Sequence, residues 1–212
     1  MIRLLIADDH AIVREGLKKI FIMVPDITVT AEACDGDEVL RVLAAPADFD
    51  LLLLDLTMPG LSGINLIEHI KVRCPNLPIL IFSMHNEAQI ALRTIKAGVA
   101  GYIAKDADPE VLVTAIRKVA GGGKYIDPKL AEQMAFDSVF PEQREPHARL
   151  SDREFEIFAL LVAGKRVNEI ASQLSISNKT VSTHKLHLME KMGVSSAAEL
   201  VHYAIERHLF NF

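Results

Sequence analysis

Three carboxylates and one ammonium stand where short apolar runs end. Asp8 and Asp9 follow Leu4-Leu5-Ile6-Ala7, Asp55 follows Leu51-Leu52-Leu53-Leu54, and Lys105 follows Tyr102-Ile103-Ala104. Runs of that kind read as buried parallel strands. In an open α/β sheet, ligands bind beyond the carboxyl ends of the strands. The three acids and the lysine should therefore meet in one crevice. Carboxylates held that close repel one another unless a divalent cation shares their charge. The expected chemistry is an acidic Mg²⁺ pocket with a lysine beside it, suited to a phosphoryl group. A single acid there would be an ordinary solvated strand end; four such groups at three strand ends form a pattern.

The elements that must position these groups alternate along residues 1–122. The patterning predicts strands over 3–7, 27–33, 51–54, 79–82 and 101–104. Helices are expected over 11–23, 36–43, 63–73, 87–97 and 109–120. Turn residues separate the units, among them Pro25-Asp26, Pro59-Gly60, Pro75-Asn76 and Gly98. Five β-α units with apolar strands predict an α/β fold: a doubly wound, five-stranded parallel sheet covered on both faces. After Gly121-Gly122-Gly123 the character changes. Residues 123–149 read as a linker with one short helix over 127–136 and a Pro-bounded polar stretch at 141–146.

From Leu150 to Phe212 there is no strand pattern, and helices are expected over 152–163, 167–174, 178–192 and 196–208. Ser151 with Glu154 forms a capping box, and Ser177 and Ser195 are expected N-caps. The second and third of these helices are separated by Ser175-Ile176-Ser177, with the small Ala171 facing inward. Val181, Leu188 and Met192 line one face of the third helix, and Lys179, Ser182, Thr183 and Lys185 are assigned to the other. That is the pattern of a small all-α helix-turn-helix domain whose second helix fits the major groove of double-stranded DNA. Lysine there can donate to guanine, and Ser or Thr can meet several base edges.

Residues 150–212 carry seven Lys+Arg and seven Asp+Glu, so the net charge of −5 falls wholly on the first part. An acidic chain can still bind nucleic acid through a local basic face. Cys34 and Cys74 lack a metal-type spacing and read as reduced thiols. Met1 leads straight into a strand without a signal-type segment, and no apolar run approaches the ~20 residues that cross a bilayer. A cytoplasmic protein with no membrane partner is the expectation.

At Asp8-Asp9, Asp55 with Met58-Pro59-Gly60, Ser83, Tyr102 and Lys105 the chain resembles the receiver domain, a flavodoxin-like fold, of bacterial two-component response regulators. At Leu150-Ser151, Arg153-Glu154, Ile170-Ala171, Lys179-Thr180-Val181, His184 and Met192-Gly193-Val194 it resembles the LuxR-type helix-turn-helix output of the NarL/FixJ group. The resemblance implies that Asp55 accepts a phosphoryl group from a sensor histidine kinase, and that sequence-specific DNA binding and transcription follow. It implies that Asp8, Asp9, Asp55 and the Thr57 backbone carbonyl serve Mg²⁺, Asp8 mainly through water. Ser83, Tyr102 and Lys105 are the implied phosphate-binding and switch residues, and His85 and Thr57 flank the route of hydrolytic water. Lys179, Thr180, Ser182, Thr183, His184 and Lys185 are the implied DNA-binding set. Ala197 and Val201 are expected at a two-fold contact of a homodimer formed on phosphorylation or on DNA. The chain is then no enzyme beyond slow hydrolysis of its own acyl phosphate. Two alternatives stand beside this reading. A metal-dependent phosphohydrolase with an aspartyl nucleophile would normally carry a second acid where Thr57 stands, and would leave residues 150–212 unexplained. A receiver-like domain regulated by binding would lack one of the acids or the lysine, and all are present.

Overall fold

The computed structural model describes residues 1–45, 48–84, 88–139 (without the Ser138 side chain), 145–174, 176–207 and 209. Two compact units form, Met1–Ala135 and Phe136–Phe212.

The first unit is built on strands β1 (Ile2–Ala7), β2 (Ile27–Ala33), β3 (Leu51–Leu54), β4 (Ile79–Ser83), β5 (Gly101–Ala104) and β6 (Tyr125–Ile126). All pair in parallel in the order β2-β1-β3-β4-β5-β6. The order reverses at β1, so the switch point lies between β1 and β3. Side chains of each strand alternate between two cores, as a period of two requires. Leu5, Ala7, Leu52, Leu54, Ile79 and Ile81 face one core. Helices α2 (Gly36–Ala44), α3 (Gly63–Arg73) and α4 (Ala88–Lys96) cover it with Val39, Leu66, Ile70 and Ala91. Leu4, Ile6, Leu51, Leu53, Leu80 and Phe82 face the other. There α1 (Ala11–Ile22) and α5 (Pro109–Ala120) bring Leu17, Phe21, Leu112 and Ile116. The four leucines of β3 are buried on both sides, which is why that strand reads as an unbroken apolar run.

The sheet has six strands where the sequence predicts five. β6 is too short to show any alternation, and it falls in the stretch read as linker. Its place is prepared in β5: Gly101 pairs with Tyr125, and a Cβ at Gly101 would stand 2.7 Å from the Tyr125 carbonyl oxygen. Helix α6 (Pro128–Val139) follows, and its Leu130 is buried in the first core. Residues 125–130 thus pack with the first unit. Residues 141–144 of the Pro-bounded stretch 141–146 and the predicted helix start at Glu87 lie outside the described residues.

The second unit contains α7 (Asp152–Val162), α8 (Val167–Gln173), α9 (Asn178–Met192) and α10 (Ala197–Glu206). Ile157, Phe158, Ile170, Val181, Leu188, Leu200 and Ala204 close its core. Ser151 and Glu154 form the expected capping box, and Ser177 caps α9 by accepting from the Thr180 N–H. The cap of α10 is Ser196 in place of Ser195, because the helix begins one residue later; Ser195 instead donates to the Glu199 carboxylate. Gly193 ends α9 with φ 67°, the left-handed conformation that glycine adopts without strain. Among the described residues no helix is long and apolar enough to cross a membrane.

Glu154 joins α7 to α9. Its Oε2 accepts from the Ser151 N–H at 2.7 Å and lies 2.6 Å from Lys191 Nζ. Burial pushes its carboxyl up, but Lys191 and Ser151 outweigh that and hold it below its ordinary value. Glu154→Gln should therefore destabilise the second unit by about 1–2 kcal/mol in urea melts at neutral pH. A depressed carboxyl stabilises above its unfolded value and loses that contribution as pH falls through the folded value. The wild-type advantage should accordingly hold down to the ordinary glutamate value and be lost as pH falls below it through the depressed folded value, and an advantage constant across that range would contradict the assignment.

Candidate functional site

Asp8, Asp55 and Lys105 each extend the ladder one residue past a strand. The Asp8 N–H donates to the Ala33 carbonyl at 3.1 Å, Asp55 to Ala7 at 2.8 Å, and Lys105 to Ser83 at 2.8 Å. β1 and β3 are in register as Ala7 opposite Leu54, and β4 and β5 as Ser83 opposite Ala104. The backbone thus places the two acids side by side at the switch point, with the lysine across the end of β4.

The side chains converge there. Lys105 Nζ lies 2.7 Å from Asp8 Oδ2 and 2.8 Å from Asp55 Oδ2. The three side chains are only 7%, 2% and 1% exposed, respectively. Burial pushes the Asp55 carboxyl above its ordinary value, and the Asp8 charge adds to that against the pull of Lys105. Burial alone would lower the Lys105 ammonium, but its hydrogen bonds to Asp55 and Asp8 hold it above the ordinary lysine value. Asp9 is more open, and its Oδ1 meets His10 Nδ1 at 2.7 Å. Arg14 donates to the Asp8 carbonyl at 2.6 Å and to Glu32 at 3.1 Å, fixing the chain beside the acids. Thr57 approaches Asp55 Oδ1 with its N–H and hydroxyl, both at a long 3.4 Å. The loop after Asp55 crosses close to α2: a Cβ at Gly36 would collide with the Leu61 carbonyl. Ser83 and Tyr102 are both fully buried, Ser83 at the end of β4 and Tyr102 in the first core. His85 lies outside the described residues.

Asp8, Asp9 and Asp55, with His10, each offer one ligand atom, all within 4.8 Å of one another. Hard carboxylate oxygens are the donors that Mg²⁺ takes, so this set fits that ion. Sequence reasoning overlooked His10 and Arg14; the only signal was their closeness in sequence to Asp8 and Asp9.

On α9, Asn178, Lys179, Thr180, Ser182, Thr183, Leu186 and His187 are exposed, while Val181, Leu188 and Met192 are buried. The Thr180 hydroxyl is engaged by Ser177 Oγ at 2.8 Å, and Thr183 donates back to the Lys179 carbonyl at 3.0 Å. His184 and Lys185 are half-buried. Lys185 does not share the centre of the face with Lys179, since six residues turn a helix by about 600°, leaving it about 120° away. Leu186, 57% exposed, takes the place beside Ser182 and Thr183. On α10, Ala197 is exposed and Val201 half-buried.

A doubly wound sheet with a buried acid–lysine pocket at its switch point, joined to a helix-turn-helix unit, defines a receiver with a DNA-binding output. Comparison with known families agrees. Residues 4–117 match the response regulator receiver domain, and residues 148–204 match the bacterial regulatory proteins of the luxR family. The chain belongs to the two-component response regulators with a LuxR-type output, the NarL/FixJ group. Such proteins are DNA-binding regulators rather than classical enzymes, and the phosphohydrolase alternative has no support. Response regulator UvrY of Escherichia coli (strain K12) is 36% identical over 212 residues, covering 100% of this chain and 97% of that protein. Oxygen regulatory protein NreC of Staphylococcus carnosus is 36% identical, covering 99% of this chain and 100% of its own. Among solved structures, RcsB from Salmonella enterica serovar Typhimurium bound to promoter rprA with the phosphomimetic BeF₃⁻ superposes with a TM-score of 0.78 at 29% identity. That match covers 95% of this chain and 97% of RcsB. An RcsB–DNA complex gives 0.62 at 30% identity, covering 97% and 98%.

The ion pairs of Lys105 make a stability prediction. Lys105→Met leaves two buried carboxylates facing each other, and should destabilise the first unit by about 3–5 kcal/mol at neutral pH. Asp55 then rises further. A carboxyl with a raised folded value stabilises below its unfolded value and loses that contribution as pH rises through the folded value. Thermal melts of the variant in chelator should show stability falling between acid and neutral pH more steeply than in wild type. Parallel curves would contradict the pairing.

Proposed function

We propose that Asp55 accepts a phosphoryl group from the histidine of a sensor kinase and that its phosphorylation controls DNA binding by α9. The single observation that carries this reading is Asp55 buried beside Asp8 and within 2.8 Å of the Lys105 ammonium, at the switch point of the sheet. Asp55 supplies the attacking oxygen; a phosphorus–oxygen bond forms as the donor's bond to phosphorus breaks. Lys105 meets the charge that gathers on the transferred oxygens, and positioning does the rest. Asp8, Asp9, Asp55 and the Thr57 carbonyl would hold Mg²⁺, which when bound neutralises phosphoryl charge. The Ser83 hydroxyl meets a phosphoryl oxygen, and Tyr102 follows it by changing rotamer. The acyl phosphate is slowly hydrolysed by the receiver itself. The phosphorylated receiver favours a homodimer that uses Ala197 and Val201 of α10 on a near-symmetric DNA site, a population shift between two states. The RcsB relatives bound to DNA in the presence of a phosphomimetic support this part. Residues 1–135 act as receiver, 136–149 as connector and 150–212 as output, the receiver being longer than the 1–122 expected from the sequence because β6 and Leu130 pack with it. The site of action is the cytoplasm, where kinase and DNA are both at hand.

Incubation with acetyl phosphate and Mg²⁺ should add one phosphoryl group, visible by intact mass, and Asp55→Asn should abolish it. Equal labelling of the variant would refute Asp55 as acceptor. On the output side, Lys179→Ala should weaken binding to duplex DNA across sequences and reduce the salt slope by about one unit. Ser182→Ala or Thr183→Ala should instead alter which sequences are selected from a random duplex pool. A salt slope untouched by Lys179→Ala would remove that residue from the phosphate contacts.

A further inference from the structure

We propose that His10 is a direct ligand in the acidic pocket and makes it selective for borderline divalent ions, of the Co²⁺, Ni²⁺ and Zn²⁺ class, over Mg²⁺. The inference rests on reading Asp8, Asp9 and Asp55 as a cation site, and adds a nitrogen donor to that site.

His10 occupies the N-cap position of α1 with extended backbone, φ −86° and ψ 104°, yet its side chain makes no capping bond. Histidine is not one of the residues that ordinarily cap a helix, and no bond to the α1 N–H groups holds its side chain. The imidazole turns to the acids instead. Nδ1 stands 2.7 Å from Asp9 Oδ1 and 3.3 Å from Asp8 Oδ1. The His10 N–H also donates to Asp8 Oδ1 at 2.9 Å, so backbone and ring address the same carboxylate. Bonds of about 2.1 Å at right angles set neighbouring ligand atoms about 3.0 Å apart, and the two nitrogen–oxygen distances bracket that edge. The Oδ2 atoms of Asp8 and Asp55 face Lys105, which leaves the Oδ1 atoms of Asp8 and Asp9 for the side where His10 stands.

Ligand chemistry decides which ions gain. Mg²⁺ takes oxygen donors and keeps its waters, so it gains little from an imidazole. Borderline first-row ions bind imidazole nitrogen well, and one nitrogen beside three carboxylates raises their affinity selectively. The His10 side chain is 56% exposed, so it can stay beside Asp9, whose buried Oδ1 has no hydrogen-bond partner among the described residues, when Mg²⁺ is bound, and move onto a borderline ion without disturbing the core. The pocket then has a second class of occupant, which competes for the Asp55 carboxylate.

The test is calorimetric titration of the full chain with MgCl₂ and, separately, with CoCl₂, together with the visible spectrum of bound Co²⁺. His10→Ala and His10→Gln are compared with wild type. The glutamine amide can still reach Asp9 but supplies no imidazole. Both variants should lose Co²⁺ affinity by about tenfold or more and shift the Co²⁺ bands, with Mg²⁺ affinity held within about twofold. Unchanged Co²⁺ binding in the variants, or no Co²⁺ binding by wild type, would overturn the proposal. So would a loss shared equally by both ions, or rescue of Co²⁺ binding by glutamine, since either would make His10 a positioning residue for Asp9. Absence of Mg²⁺ binding by the wild-type chain counts against the Mg²⁺ reading alone, and the Co²⁺ comparison still decides the role of His10.

Discussion

One ammonium between two buried carboxylates is the constraint around which the first unit is arranged. Adjacent strands lie about 4.8 Å apart, so residues that extend neighbouring strands by one position cannot avoid each other. Asp8 and Asp55 do this at the ends of β1 and β3, both almost wholly out of water. Two like charges there would drive one of the pair to take up a proton. Lys105 opposes this by lying within 2.8 Å of both. Because β5 is separated from β3 by β4, the lysine must reach across the end of the intervening strand, where the chain has the small Ser83.

That arrangement is balanced rather than relaxed. Asp55 is still held above its ordinary value by burial and by Asp8, while Lys105 is held above its own by the acids. A site of this kind responds to any change in its charge, because each group is fixed by the others and not by solvent. Ser83 ends β4, the strand that Lys105 crosses, and Tyr102 lies in the first core; both are fully buried. In this fold that sensitivity follows from burial and register.

The second unit is organised on the opposite principle. Its buried charge, Glu154, is satisfied within the unit by Ser151 and Lys191, which locks α7 to α9. The outer face of α9 is left free of such ties at Ser182 and Leu186, while Thr183 bonds only its own helix. A rigid helix with a mixed hydroxyl, amine and apolar face is what reading of base edges requires.

The sequence by itself determined the alternation of strand and helix, the two units, the acids and lysine at strand ends, and the helix-turn-helix. Each of these is written in a local rule: apolar runs for strands buried on both faces, a capping box at Ser151 and Glu154, and a period near four for α9. Other features were decided only by tertiary structure. β6 exists because Gly101 admits the Tyr125 carbonyl, an approach between residues far apart in the chain. The exposure along α9, with Leu186 57% exposed and His184 and Lys185 half-buried, was likewise set by packing against its neighbours, whereas the angle between Lys179 and Lys185 is a matter of helix period alone. Likewise Lys105 has Asp8 as well as Asp55 for a partner, and His10 faces the acids instead of its own helix. Spacing along the chain states which residues end a strand, but distances between strand ends come from register and burial, which no local pattern contains.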